Sequence, residues 1–366
     1  MRIGIVLHPY GESAPAGLAR IIVDLADALT RLDNENEYII YLKDEPIERP
    51  RFHGNRWRIE VLGGGMLWLE RGLRCSEKSD VYLFNTPVLP LSWRPAHSVV
   101  LALDFAYIHF PARGIFGRMR SRFLMERHRR GLSRADAIIA ISRESAREVL
   151  RYGAVEERKL HVVYPGFKNL CGGSEGRANL LDLPQHYILS VGVIKERKNL
   201  MNTLRAFRIL SELPKFANHK LVVVGRRTGE YAKRAEALAQ EPGLEGRVIW
   251  LDHISDDKLG EAYSRAGALS FPSLLEGFGF PVLEAFACGT PVVTSDRSSL
   301  VEIAGDAALT VDPFDPRAIA NALQKVALEG PARTELVRRG TRRAKEFSWR
   351  KTAEAVDHIL RSVVAE

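Results

Sequence analysis

Little in this chain of 366 residues points to metal, disulfide or membrane-spanning chemistry. Cysteine is scarce: Cys75, Cys171 and Cys288 are scattered and odd in number. They give no metal spacing and no disulfide framework, so the expectation is a reducing, cytoplasmic setting. No apolar run approaches the length needed to span a bilayer. The opening Met1-Arg-Ile-Gly-Ile-Val-Leu7 carries a charge and a short apolar run, but it breaks at His8-Pro9, too soon for a secretory core. It reads as a first strand. The sequence has no Walker loop, no Ser/His/Asp elbow, no zinc signature and no Asp-x-Asp run. These absences set an expectation of chemistry without a metal ion or other cofactor.

What is present is an ordinary globular composition, 46% hydrophobic and 27% charged, on a chain long enough for two cores. The net charge of +8 is uneven. Between residues 113 and 134 there are eight arginines and one acidic side chain, Glu126. Phe116, Met119, Phe123 and Leu124 are interleaved at roughly helical spacing. Such a helix can lie on an anionic membrane or bind nucleic acid, or it can turn its apolar stripe to the core and its arginines to water.

Short apolar runs alternate with helical patterns from one end to the other. Seven strand candidates precede residue 165, beginning at Ile3–Leu7, and six follow it, including Tyr187–Val191 and Ala268–Phe271. Helical patterns include 17–31, 115–132, 143–152, 256–266, 281–288 and 299–304. This alternation predicts two doubly wound, Rossmann-like parallel sheets. The loop from Pro165 to Glu175, with Gly166, Gly172 and Gly173, is the natural boundary. It gives domains 1–168 and 169–346, followed by a helix over 347–366. Ligands collect at the carboxyl ends of strands in open sheets, so a cleft between two such domains is the expected site.

The most informative stretch is Pro272-Ser-Leu-Leu-Glu276-Gly-Phe-Gly-Phe-Pro281-Val-Leu-Glu284-Ala-Phe-Ala-Cys-Gly289-Thr-Pro291. Two carboxylates, seven residues between them, bracket a glycine turn and a proline suited to open a helix. Gly277 and Gly279 let the backbone near a ligand, at the positive end of the helix. On the predicted bounds Glu284 falls in the first turn. This set suits a polyhydroxyl, phosphate-bearing ligand; an ordinary strand–turn–helix with a capping glutamate is the alternative. A second loop, Ser190-Val-Gly192-Val-Ile-Lys195-Glu-Arg197-Lys198-Asn199, follows a strand and opens a helix. It is an anion site by the same physics, or a surface basic patch. Ser298 or Ser299 can cap a helix, with Glu302 available for a capping box. His8, ending strand one, faces a ligand or is structural.

The Glu276–Glu284 segment, with its Gly-Phe-Gly-Phe-Pro turn and Cys-Gly-Thr-Pro, resembles the retaining glycosyltransferases of family 4. The resemblance implies the GT-B fold, with residues 347–366 crossing back to the first domain. It implies that Glu276 binds the donor sugar, Glu284 the ribose and Lys198 the diphosphate. Backbone groups of Gly277, Phe278, Gly279 and Phe280, with Gly192 and Arg197, complete the donor site. Many relatives have arginine after the first glycine; here it is Val193. On the acceptor side the resemblance points to the loop Gly11 to Arg20, with Gly17, and to the turn Asp104-Phe-Ala-Tyr-Ile-His109. Relatives often carry His-Asp there, whereas this chain has Leu103-Asp104, leaving His109 as the candidate. It also has a packed-turn reading. The implied activity is metal-independent hexosyl transfer to a glycan or lipid-linked acceptor, as in bacterial mannosyltransferases of polysaccharide assembly. GDP-mannose is the first expectation for the donor and a UDP-hexose the second. An anionic membrane surface is a further expected partner and nucleic acid is not. The rivals are a sugar-nucleotide epimerase of the same fold and a non-catalytic basic module for lipid or nucleic acid.

Overall fold

The computed structural model describes residues 1–8, 18–32, 35–46, 49–63, 65–111, 114–172 and 180–365. The chain divides into two compact units, Met1–Gly166 with Phe347–Glu366, and Phe167–Glu346.

Unit 1 is built on strands β1 (Arg2–Leu7), β2 (Glu37–Leu42), β3 (Trp57–Val61), β4 (Val81–Phe84), β5 (Ser98–Ala102), β6 (Ala137–Ala140) and β7 (Leu160–Val162). They form one parallel sheet in the order β3-β2-β1-β4-β5-β6-β7. A parallel sheet must be covered on both faces, and the sequence shows it: every residue of Val-Tyr-Leu-Phe in β4 is buried. The register sets Ile5 between Ile40 and Leu83. Helices α1 (Leu18–Thr30), α2 (Leu73–Cys75), α3 (Ala106–His109), α4 (Gly114–Arg134) and α5 (Arg143–Gly153) connect these strands. Ser142 caps α5 by accepting the Ser145 N–H at 3.0 Å.

Unit 2 repeats the plan. Its strands are β8 (Tyr187–Val191), β9 (Lys220–Val224), β10 (Val248–Leu251), β11 (Ala268–Phe271), β12 (Val292–Ser295) and β13 (Leu309–Val311). The parallel order is β10-β9-β8-β11-β12-β13. Its helices are α6 (Leu200–Ser211), α7 (Gly229–Ala239), α8 (Asp256–Ser264), α9 (Phe280–Ala287), α10 (Ser299–Ala304), α11 (Pro316–Val326) and α12 (Pro331–Ala344). The last helix, α13 (Trp349–Ala365), belongs to unit 1. There Ala353, Val356 and Leu360 are buried, and Thr352 Oγ1 donates to the Tyr164 carbonyl at 2.9 Å.

Two expectations are corrected or decided here. Cys171 and Cys288 are joined in a disulfide, with Cα atoms 5.3 Å apart, and only Cys75 is free. The pairing arises because the turn opening unit 2 folds back on the end of α9. A separation of 117 residues gives no local sign of that. The second concerns α4. Its stripe does not face the core at its start: Ile115, Phe116, Met119 and Phe123 are 72%, 84%, 63% and 68% exposed. At about 100° per residue these four share an arc of about 100°. Arg118 and Arg122 border one edge of it, Arg120 and Arg127 the other. Leu124, His128 and Leu132 take the opposite face, where Leu132 is buried and the Tyr107 hydroxyl is hydrogen-bonded to His128 Nδ1 at 2.8 Å.

Among the described residues, no helix is long and apolar enough to cross a membrane.

Candidate active site

In unit 2 the strand order reverses at β8, which has β9 and β10 on one side and β11 to β13 on the other. The loops leaving β8 and β11 therefore emerge side by side at the carboxyl end of the sheet. This is the place where doubly wound sheets bind ligands. The two loops are the ones that carry the sequence motifs.

The β8 loop makes its turn at Gly192, whose φ of +132° suits glycine. A Cβ there would stand 3.4 Å from Lys198 Cε, so the lysine lies along the glycine backbone. Asn199 then adopts a left-handed conformation and starts α6. Its side-chain amide donates to the carbonyls of Pro272 at 3.0 Å and Pro313 at 2.6 Å. That ties the β8 loop to the start of the β11 loop. The Leu274 N–H donates to the Arg197 carbonyl at 2.7 Å and adds a second tie.

Glu276 is buried and meets two cations. Lys198 Nζ donates to Oε1 at 2.5 Å, and Arg197 Nη1 donates to Oε2 at 3.0 Å. Lys198 also sits 4.7 Å from the centroid of the Phe271 ring. Burial pushes the Glu276 carboxyl up, but the Lys198 and Arg197 charges and the Lys198 hydrogen bond hold it below the ordinary glutamate value. The carboxylate is thus ionised and compensated. Val193, 41% exposed, offers no charge where relatives often have arginine, while Arg197 is turned onto the Glu276 carboxylate.

The serines after β12 do something the sequence reading missed. No side-chain hydrogen bond caps α10. Instead Ser298 Oγ accepts the Glu276 N–H at 2.9 Å and donates to the Glu276 carbonyl at 2.6 Å. Ser299 Oγ, wholly buried, lies 2.9 Å from the Glu276 carbonyl and 2.7 Å from that of Phe278. Both serines fasten the Glu276–Phe278 loop, and the expected helix cap is corrected accordingly. The loop's polar backbone competes for these hydroxyls more closely than the helix does.

Gly279, with φ +130°, precedes α9, and a Cβ on it would come 2.9 Å from Leu300 Cδ2. Because the helix starts at Phe280, Glu284 stands in its second turn and not its first. The Phe278 and Phe280 rings pack at 5.0 Å, with Phe278 buried. Gly289, at φ +71°, ends α9 as expected. Glu284 Oε2 accepts the Tyr263 hydroxyl at 2.8 Å, a partner on α8 with no motif to announce it.

The sites named for unit 1 stand apart from these loops in the chain. Gly17 lies outside the described residues. Asp104 Oδ1 accepts the Ala106 N–H at 3.3 Å at the start of α3. His109 ends α3 with Nε2 2.6 Å from Glu148 Oε2 and its ring near Tyr152. His8 is tied at the ends of β1 and β4, where its carbonyl accepts Asn85 Nδ2 at 2.7 Å. Among the described residues, no group of three His, Cys, Asp or Glu is placed to hold a metal ion.

Residues 175–343 match the family model of the group 1 glycosyl transferases, and residues 15–168 match that of glycosyltransferase family 4. A D-inositol 3-phosphate glycosyltransferase of Rhodococcus jostii (strain RHA1) is 30% identical over 368 residues, 95% of this chain and 76% of its own. The chain belongs to glycosyltransferase family 4. Among other relatives of this family 4 protein is the O-antigen chain mannosyltransferase B of Escherichia coli. It is 35% identical over 165 residues, 45% of this chain and 43% of that protein. The serotype-specific mannosyltransferase WbdA of E. coli is 32% identical over 229 residues, 60% of this chain and 28% of that protein. The match thus spans less than half the length of these two mannosyltransferases. Among solved structures, a sucrose-phosphate synthase from Thermosynechococcus elongatus superposes with a TM-score of 0.81 at 21% identity, over 100% of this chain and 99% of that one. Anabaena HepE, solved with UDP and glucose, gives 0.75 at 17% identity, over 98% and 99%. The fold of the family 4 protein is GT-B.

Proposed function

We propose that this family 4 enzyme moves a hexose from a nucleoside diphosphate sugar to a glycan or lipid-linked acceptor, with retention and without a metal ion. The observation that carries the reading is the meeting of Lys198 and Arg197 on the buried Glu276 at the switch point of unit 2. With donor bound, the diphosphate draws the two cations, and Glu276 is left to the hydroxyls of the sugar. Glu284 takes the ribose, and the backbone of Gly277 to Phe280 orients the hexose. As the bond from the anomeric carbon to the diphosphate oxygen breaks, Lys198 and Arg197 offset the growing charge, a role a metal ion fills elsewhere. The departing phosphate oxygen takes the proton of the acceptor hydroxyl, whose oxygen bonds to the anomeric carbon. No side-chain base is then required.

Mannose from GDP-mannose is the donor assignment, supported by the likeness to the two E. coli mannosyltransferases. A UDP-hexose is the second, since Anabaena HepE was solved with UDP-glucose. The test is turnover of each nucleotide sugar, with the anomeric configuration of the product read by NMR. An inverted product, or none from either donor, would refute the reading.

The exposed face of α4 supports a setting for the enzyme. Four apolar side chains bordered by arginines suit the headgroup boundary of an anionic bilayer, with the guanidinium groups reaching the lipid phosphates. We infer that this face holds the enzyme reversibly on the membrane where a lipid-linked acceptor resides.

A further inference from the structure

Glu284 does not stand alone on α9. Its Oε2 accepts the hydroxyl of Tyr263, a side chain with 0% exposure, at 2.8 Å. Glu284 itself is only partly buried, so it connects the interior to the ligand side of the sheet. Burial, the Glu284 charge and the hydrogen bond to it all push the Tyr263 hydroxyl well above its ordinary value. The hydroxyl therefore keeps its proton and donates it to the carboxylate throughout the physiological range.

The tyrosine is held by more than its ring. Thr290 Oγ1, just past the end of α9, donates to the Tyr263 carbonyl at 2.6 Å. The Tyr187 hydroxyl on β8 donates to the neighbouring Ala262 carbonyl at 2.8 Å. One turn earlier, Leu170 lies so close to α8 that a Cβ on Gly260 would come 2.5 Å from the Leu170 carbonyl oxygen. The end of α8 is thus fixed from three directions, and each contact limits where the Tyr263 hydroxyl can be.

We propose that Tyr263 is a positioning residue for the donor: its hydroxyl fixes the carboxylate of Glu284 in the one orientation that meets the ribose hydroxyls. This rests on the reading of Glu284 as the ribose-binding group. A glutamate on a half-exposed helix face has three rotatable bonds, and each ordering step that precedes binding is a cost removed from binding. Tyr263 removes it in the free protein. It touches neither the sugar nor the diphosphate in this scheme, so its effect falls on donor affinity and not on the chemical step.

The experiment pairs Tyr263→Phe with removal of the ribose hydroxyls. Binding of GDP and 2′,3′-dideoxy-GDP, and of UDP and its dideoxy form, is measured by calorimetry on the full chain. Wild type should prefer the ribo form of its own nucleotide. Tyr263→Phe should lose about tenfold in affinity for the ribo form, the weight of one charge-assisted hydrogen bond, and about nothing for the dideoxy form. Turnover at saturating donor should stay within about twofold. Equal weakening of both forms would show that Tyr263 only supports the fold, and would overturn the proposal. A wild type indifferent to the ribose hydroxyls, or one that binds neither GDP nor UDP, would instead remove the premise about Glu284 and the proposal with it. If Tyr263→Phe does not fold, Thr290→Val, which frees the Tyr263 carbonyl, carries the same test. It too must weaken the ribo form selectively, and equal weakening counts against the proposal.

Discussion

Lys198 Nζ stands 2.5 Å from Glu276 Oε1, in a site where the lysine side chain is 16% exposed and the glutamate 8%. Two of the groups assigned to the donor are therefore paired with each other when no donor is present. The pair keeps a buried carboxylate ionised, and in the proposed scheme it holds the lysine ready for the diphosphate.

Replacing Lys198 tests the role assigned to it. The diphosphate gains charge as the glycosidic bond breaks, so a cation beside it lowers the barrier and not only the Michaelis constant. Lys198→Ala should cut turnover at saturating donor by at least about 10²-fold, the usual loss for one preorganised partner. Arg197 still faces Glu276, so the protein should stay folded. Glu284→Ala should raise the donor's Michaelis constant more than it lowers turnover, because ribose contacts change little during transfer. A Lys198→Ala enzyme with unchanged turnover would make the lysine a ground-state clamp.

Activity should survive EDTA. In the proposed scheme the side-chain cations of Lys198 and Arg197, which meet on Glu276, offset the charge of the leaving diphosphate, and the sequence has no Asp-x-Asp run. Full loss of turnover in EDTA, restored by Mg²⁺ or Mn²⁺, would contradict the metal-independent scheme.

Changing Arg118, Arg120, Arg122 and Arg127 to glutamate should abolish sedimentation with anionic vesicles and leave nucleotide binding intact. Each cation contributes about 1 kcal/mol near such a surface, and salt weakens it. Phe116→Ser with Phe123→Ser should weaken binding to the same vesicles even at high salt, since both rings are exposed on the face proposed to dock. Vesicle binding indifferent to both sets would discard the membrane setting.

Reduction of Cys171–Cys288 should lower the melting temperature. In the chain-entropy account, closing a loop of 117 residues is worth about 5 kcal/mol to the folded state. Cys171→Ser should show the same loss without reductant, and Cys75→Ser should not. A melting curve unaffected by reductant would count against the bond as a support of unit 2.

His128 should make stability pH-dependent. Burial, helped by the Arg127 charge, lowers its value to about 4. The unfolded chain, with histidine near its ordinary 6.5, binds the proton first as pH falls. Stability contributed by the neutral ring is whole above about pH 6.5 and is lost on descent to about pH 4, in total up to about 3 kcal/mol. His128→Phe should flatten the melting temperature across that window. A slope unchanged by the substitution would place the titrating group elsewhere.

Much of the architecture was legible because parallel strands are buried on both faces. Val81–Phe84 is an unbroken apolar run and Ala268–Phe271 is interrupted only by the buried Ser270; both are strands with those same bounds in the structure. The two loops of the candidate site were legible because glycine and charge sit at fixed offsets along each of them, with proline added in the Glu276–Glu284 segment. What escaped depends on contacts between segments. Tyr263 lies 21 residues before Glu284, with a helix end, a strand and a loop between them. Ser298 and Ser299 have the composition of a cap and spend their hydroxyls on the loop of Glu276. The partner of Cys171 lies 117 residues away. In α4 the periodicity was visible, but which side faced water was not, since an amphipathic helix reads the same from either environment.

The last twenty residues give the chain an unusual order of assembly. Residues 347–366 complete unit 1, and Asp357 Oδ1 accepts the side-chain amide of Asn36 at 2.8 Å across 321 positions. In chain order, all of unit 2 lies between the strands of unit 1 and the helix α13 that packs on them. Closing the sheet of unit 1 is thus a long-range event, one that local propensity along residues 1–166 cannot complete.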